Sequence, residues 1–298
     1  MFDRDLLKKV LEMKLEYDDI DDDQLKDDIR LLKNAKRNVN TLLRSHQVKK
    51  LQLEFGEQED DIYIVSFSKS GTTLTQMIMH LMLTNGDVDF EHIYDVAPWL
   101  QYFATEEEPM KELKGRRLIK SHDDYEVIRH VKKGKFIFLI RDCLDVLPSF
   151  YQHLNDYKIN KSPWDVFCKY WMKGWFFYHR GWLENKNELD ILFVHYEELV
   201  TNKKDVVGRM AEFVDHDLTD EEMGHIMKKS SIEFMKKHEK KFGLQPDKGM
   251  VYDNFIRNGI VGAGKPMFSA EQLDKWREMA NVFMADHPVS RRYFEKEN

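Results

Sequence analysis

The chain reads as a single α/β domain: a central parallel sheet flanked by helices, with a strand-loop-helix element that binds an anion. Two observations predict this. From residue 61 to 290, short apolar runs of strand length alternate with helix-period stretches, the pattern of successive βα units. No Pro/Gly/Ser-rich linker, internal repeat or low-complexity block divides the 298 residues. Residues 1–58 are charged and helix-like, with Leu6, Val10, Leu25, Ile29 and Leu32 spaced for amphipathic helices packed on the core, so the domain proper is taken as 59–298. The acidic run at Asp18-Asp19-Ile20-Asp21-Asp22-Asp23 reads as solvated, since it lacks the Gly and Glu that an EF-hand loop requires.

The first core element is the most informative. Ile62, Tyr63, Ile64, Val65 and Phe67 form a β-branched and aromatic run, and Leu74, Met77, Ile78, Leu81 and Met82 recur at helical spacing. Between them stand Ser68, Lys69, Ser70, Gly71, Thr72 and Thr73. A strand entering a helix through such a loop leaves first-turn N–H groups and the positive end of the helix dipole for an anion. Gly71 admits close approach, the hydroxyls add donors and Lys69 adds charge. An ordinary capped βα turn is the plain alternative. The order is not Walker A, because Lys69 precedes Gly71.

Next, Arg117–His122 reads as a short strand that ends with Lys120 and His122 on one face. Histidine is suited to take a proton near neutral pH and lysine to stabilise charge developing beside it; a polar surface strand end is the alternative. Lys135–Ile140 is a buried strand that delivers Arg141 to the carboxyl edge of the sheet, where open α/β folds bind ligands, and Ser149 follows on the next helix. A surface Arg–Asp pair is the alternative there. Val194-His195-Tyr196-Glu197-Glu198-Leu199 ends a further strand in an aromatic. Gly259, Gly262 and Gly264 punctuate a cationic segment with Arg257, Asn258 and Lys265, either a loop closing over an anion or a surface turn.

Taken together, these segments resemble the cytosolic-type sulfotransferases over roughly residues 60–285. Lys69-Ser70-Gly71-Thr72-Thr73 is similar to that family's 5′-phosphosulfate loop, and Lys120-Ser121-His122 to its Lys-Thr/Ser-His element. The resemblance implies a P-loop-like fold using 3′-phosphoadenosine 5′-phosphosulfate (PAPS) as donor, with adenosine 3′,5′-bisphosphate (PAP) as product and no metal. It implies His122 as general base, and Lys69 and Lys120 as stabilisers of the leaving oxygen and the moving sulfuryl group. Arg141 and Ser149 would hold the 3′-phosphate. Tyr196, Ser231, Ile232 and Met235 would line the base, and the loop of Arg257, Asn258 and Gly259 would close over the 3′-phosphate, one of whose cations is lost at Asn258. The departures are Leu74 for a tryptophan against the adenine, Ile232 for a phenylalanine, Asn258 for a lysine, Ala263-Gly264 for Asp-Trp, and Asp123-Asp124 for Leu-Pro. Asp123 is expected to hold the His122 ring.

The acceptor implied is a small molecule with a phenolic or alcoholic hydroxyl, an amine being second choice. Trp99, Tyr102, Phe103, Phe150 and Tyr151 are candidate walls for it, core packing being equally open to each. Lys265–Asp274 resembles the family's dimer segment with shorter side chains at Ser269, Ala270 and Asp274, so a homodimer is an option. A net charge of −7 argues against general nucleic-acid binding. Two cysteines, Cys143 and Cys168, give no disulfide framework, and no signal-peptide pattern or long apolar run is present, so the expected location is cytoplasmic with no membrane attachment. The rival readings are a P-loop ATP-dependent kinase, disfavoured by the loop order, and a non-catalytic nucleotide-binding protein suggested by the departures.

Overall fold

The computed structural model describes residues 37–49, 52, 54–100, 113, 115–243 and 255–287. The N-terminal positions Leu6 to Leu32, and the acceptor candidates Tyr102 and Phe103, lie outside the described residues. Strands β1 (Ile62–Ser66), β2 (Leu118–Ser121), β3 (Lys135–Ile140) and β4 (Ile191–His195) form one parallel sheet in the order β2-β1-β3-β4. Register is set by pairs such as Ile64 with Lys120 and with Ile137, and Phe138 with Phe193.

Because both faces of a parallel sheet are covered, its strands read as continuous apolar runs while their side chains still alternate. Tyr63, Val65, Phe136, Phe138 and Ile140 enter one core; Ile62, Ile64, Ile137 and Leu139 enter the other. The first core is closed by α4 (Cys143–Asp156), α5 (Trp164–Glu184) and α10 (Ala270–Phe283), whose buried faces carry Leu147, Trp175, Trp182 and Trp276. The second is closed by α2 (Thr72–Leu83), α7 (Lys203–Phe213) and α8 (Asp220–Lys229) through Met77, Leu81, Met210 and Ile226. Short helices α3 (Tyr125–Ile128), α6 (Tyr196–Thr201) and α9 (Ile232–Lys237) follow strand ends or turns. Of the N-terminal segment, residues 37–49 form helix α1, which inserts the fully buried Val48 into the first core.

Strand β2 begins one residue later than expected. Arg117 is spent on a buried two-bond ion pair, Nε to Asp61 Oδ1 and Nη2 to Asp61 Oδ2 at 2.6 Å each. This clamps the entry of β2 to the entry of β1, a geometry suited to a guanidinium fork. His122 lies just past β2, at the carboxyl edge of the sheet with the loops that follow β1, β3 and β4.

Candidate active site

The loop after β1 is built to face an anion. Lys69 and Gly71 both have positive φ, 68° and 96°, and flank Ser70, so successive N–H groups turn inward. A Cβ on Gly71 would lie 2.5 Å from the Tyr196 ring, so the position requires glycine sterically as well as conformationally. Helix α2 has no side-chain cap, which leaves its first-turn amides without a protein partner of that kind. Arg141 is stacked on Tyr196 at 4.3 Å and donates from Nη1 to the Lys69 carbonyl at 2.8 Å. Two buried donors in this region, Ser70 Oγ and Arg141 Nε, have no hydrogen-bond partner among the described residues. Buried polar groups normally find one, so Arg141 Nε, on a side chain that lines the adjoining cleft, fits an anionic ligand.

A cleft of about 1070 Å³ opens from this loop. Of the residues singled out in the sequence, Lys69, Gly71, Thr72, Thr73, Leu74, Lys120, His122, Arg141, Ser149, Tyr196, Ile232, Met235, Arg257, Asn258 and Gly259 line it. Two do not. Ser70 is fully buried behind the loop, and Ser231 uses its hydroxyl to cap α9, accepting from Phe234 N–H at 3.2 Å. Its neighbour Ser230 lines the cleft instead and accepts a hydrogen bond from Lys203. Gly259 fits between Ile232 and Tyr196, which assembles the three as one wall.

The closing loop is latched by Asp145, a buried carboxylate that accepts from Gly262 N–H at 2.7 Å and Gly264 N–H at 2.9 Å. Pro148 leaves the Leu144 carbonyl without its helical donor, and Gly264 packs over that carbonyl; a Cβ there would come within 2.1 Å of it. The glycine that replaces tryptophan in the resembled pattern is thus a fitted part of this backbone. Arg257 pairs with Asp156 at 2.9 Å, and Asn258 accepts from Lys236 at 3.1 Å.

Beside the anion loop stand His122 and the two lysines. His122 Nδ1 donates to the Ser66 carbonyl at 2.7 Å, which fixes the tautomer and leaves the lone pair on Nε2. Burial, then the charges of Lys120 and Lys69, push this histidine down to about 3, so it is neutral near pH 7. Lys120, lowered to about 7 chiefly by burial, donates to Tyr94 Oη at 2.9 Å and lies 4.3 Å over the Trp99 ring. An isolated parallel bridge between Trp99 and Lys120 sets that indole, which also meets His122 edge-on at 5.5 Å. Lys69 is likewise lowered to about 7 by burial and by Arg257 and Arg141, and its Nζ lies 3.3 Å from His153 Nδ1.

Two expectations need correction. Asp123 does not hold the His122 ring: its carboxylate turns away to Arg44 and Ser121. Tyr151 does not line the cleft, because its ring packs on Trp164 and Phe167 at 5.3 and 5.1 Å, whereas Phe150 and Trp99 do line it. The sequence reading missed His92, Tyr94, His153 and Tyr157, all cleft-lining. His153 and Tyr157 continue the Ser149 face of α4 at four-residue intervals, a usable signal; His92 and Tyr94 precede the bridge in a loop and gave none. Asp142, the carboxylate a kinase reading would turn to, caps α4 by accepting from Leu144 N–H at 2.9 Å.

An uncapped helix start, converging cations and a neutral imidazole in one cleft define an anion-binding α/β protein. Comparison with known proteins narrows the class: the family model for the sulfotransferase domain matches residues 59–288. A 3-beta-hydroxysteroid sulfotransferase of Cavia porcellus is 30% identical over 251 residues, covering 79% of this chain and 87% of the relative. An amine sulfotransferase of Oryctolagus cuniculus is 28% identical, with 79% and 84% covered. Among solved structures, a mouse sulfotransferase complexed with PAP shares the fold at TM-score 0.64 and 23% identity, covering 86% of this chain and 94% of that one. Retinol dehydratase in complex with androsterone and PAP does so at TM-score 0.66 and 18% identity, with 78% and 83% covered. The chain belongs to the sulfotransferase family.

Proposed function

We propose that this protein transfers the sulfuryl group from 3′-phosphoadenosine 5′-phosphosulfate to a hydroxyl of a small aromatic or alicyclic acceptor, with His122 as general base. The observation that carries this reading is the meeting, in one cleft, of the uncapped Ser70–Thr73 loop with a histidine whose Nδ1 proton is committed to Ser66. The donor supplies a sulfuryl group on a phosphate leaving group. The loop amides, that of Ser70 included, and the Thr72 and Thr73 hydroxyls would bind its 5′ end, while Arg141, Ser149 and Arg257 would bind the 3′-phosphate. Tyr196, Leu74, Ile232 and Met235 would line the base, with Asn258 and Gly259 closing over it.

His122 Nε2 would accept the acceptor's proton as attack begins. Its basicity rises once the positive charges of Lys69 and Lys120 beside it are neutralised by an anion. Lys69 would stabilise charge on the departing oxygen, and Lys120, held by Tyr94 and Trp99, would face the moving group. Phe150, Trp99 and Tyr157 favour an aromatic or ring-bearing acceptor, excluding water from its hydroxyl. The names of the relatives, a hydroxysteroid and an amine sulfotransferase, support a small-molecule acceptor.

A cytoplasmic location is part of the reading, supported by two buried free cysteines, Cys143 and Cys168. No helix among the described residues is long and apolar enough to cross a membrane. A homodimer through residues 265–274 is also proposed, to be tested by light scattering. The decisive experiment is calorimetric titration with adenosine 3′,5′-bisphosphate, with ATP plus magnesium in parallel. Binding of the bisphosphate that weakens in Arg141→Ala supports the donor; a preference for ATP–magnesium overturns it.

A further inference from the structure

Helix α1 lies outside residues 59–288, the span matched by the family model, yet it reaches the loop that carries His122. Arg44 Nη2 donates to both carboxylate oxygens of Asp123 at 3.1 Å, and Arg44 Nε to Oδ1 at 3.3 Å. Asp123, the residue after His122, is 3% exposed. Its Oδ2 also accepts from Ser121 Oγ at 3.0 Å, the same hydroxyl accepts from Asp123 N–H, and Trp182 Nε1 donates to the Asp123 carbonyl at 3.3 Å. The backbone on both sides of His122 is therefore fixed by contacts to Asp123, two through its backbone and one through its carboxylate, and α1 supplies a cation to that carboxylate. A second cation from the same helix, Arg37, offsets part of the burial that pushes the neighbouring Asp124 carboxyl up. These two acids stand where the resembled pattern continues Leu-Pro, so the altered loop and the helix that answers it belong together.

A buried carboxylate without its partner either takes up a proton or moves toward water. Either response shifts the Ser121–Asp123 backbone and, with it, the line from His122 Nδ1 to the Ser66 carbonyl. We infer that Arg44 is a positioning residue, acting through Asp123 to hold His122 in the orientation that presents Nε2 to the cleft, and that helix α1 is thereby part of the catalytic apparatus. This rests on His122 as the base.

The test uses the full chain labelled with 15N-histidine. The His122 resonance is identified by its absence in His122→Asn. Wild type is expected to show a single Nδ1-protonated tautomer, and Arg44→Gln a ring averaging between tautomers, with partial recovery in Arg44→Lys. Val48→Ala is the control, since it loosens the same helix without touching Asp123, and it is expected to keep the wild-type tautomer at a comparable loss of Tm. With phosphosulfate and p-nitrophenol as probe substrates, Arg44→Gln should lower kcat by ~10- to 100-fold while the bisphosphate Kd stays within about twofold. A wild-type tautomer and kcat in Arg44→Gln would overturn the inference. So would Val48→Ala losing as much as Arg44→Gln. Failure of wild type to bind the bisphosphate would count against the donor reading alone, because the tautomer measurement needs no ligand.

Discussion

Lys69 offers the sharpest test of the donor site, because its charge in the free protein should depend on whether an anion is present. With burial and two neighbouring guanidinium groups holding it at about 7, the lysine is mostly neutral at pH 8. An ordinary lysine, near 10.4, is fully charged there. If the 5′-phosphate of adenosine 3′,5′-bisphosphate meets Lys69, binding should restore the charge and take up a proton. At pH 8 the free group is ~10% protonated and the bound group essentially fully so, giving an uptake of ~0.9 proton. At pH 6 it is already ~90% protonated, and the uptake falls to ~0.1. The bisphosphate's own phosphate ionisation, near 6, does not interfere at the higher pH. Titrations at pH 8 in buffers of different ionisation enthalpy give the proton number as the slope of observed heat against buffer heat. Lys69→Met should abolish the slope while leaving weaker, measurable binding. A wild-type uptake below ~0.2 proton at pH 8 would mean that Lys69 either carries its charge in the empty cleft or never meets the phosphate; both refute the reasoning.

Four other outcomes follow from the site and its supports. His122→Ala should lower kcat by ~10²- to 10⁴-fold while bisphosphate binding is unchanged, and undiminished turnover would remove it as base. Leu74→Trp should tighten bisphosphate binding by ~1–3 kcal/mol, read by titration, if that position faces the adenine. Asp145→Ala strands the buried N–H of Gly264 and releases that of Gly262, and should weaken bisphosphate binding and lower Tm at a cost of ~1–3 kcal/mol. The free protein should also gain stability between pH 7 and about pH 9.5. Lys69 and Lys120 bind fewer protons folded than unfolded there, so stability rises with pH; the rise should flatten in a Lys69→Met/Lys120→Met variant, as thermal scans across pH would show.

The strand-loop-helix at residues 61–84 was legible because its signals are local: an apolar run, glycine among hydroxyls, then helical periodicity. Lys120, His122 and Arg141 were legible because strand ends deliver residues to a known edge of the sheet. What escaped depends on long-range packing. Nothing near Asp145 in sequence announces a loop more than a hundred residues on, and nothing near Asp123 announces Arg44, at a separation of 79. The apparent loss of Asp-Trp at Ala263-Gly264 could be understood only beside the Leu144 carbonyl, which Pro148 leaves without its helical donor on α4. Ser231 falls outside the cleft lining because its hydroxyl, at a helix start, serves the backbone, and Tyr151 because neighbouring positions on a helix face different surroundings.

The strand order carries a consequence for how the protein comes into being. Ile64 meets Lys120 on one side and Ile137 on the other, and Phe138 meets Phe193, so every lateral pairing joins segments far apart along the chain. Loop-closure entropy must be spent on each before any of them is rewarded, which makes such a topology slow to reach its native state. The residues at the carboxyl edge are contributed one strand at a time, so a nascent or half-assembled chain has no complete cleft, however complete its first helix. On the proposed donor reading, bisphosphate binding would recover during refolding only after the sheet and the segments beyond its last strand have assembled, and the bound molecule would stabilise that assembled state.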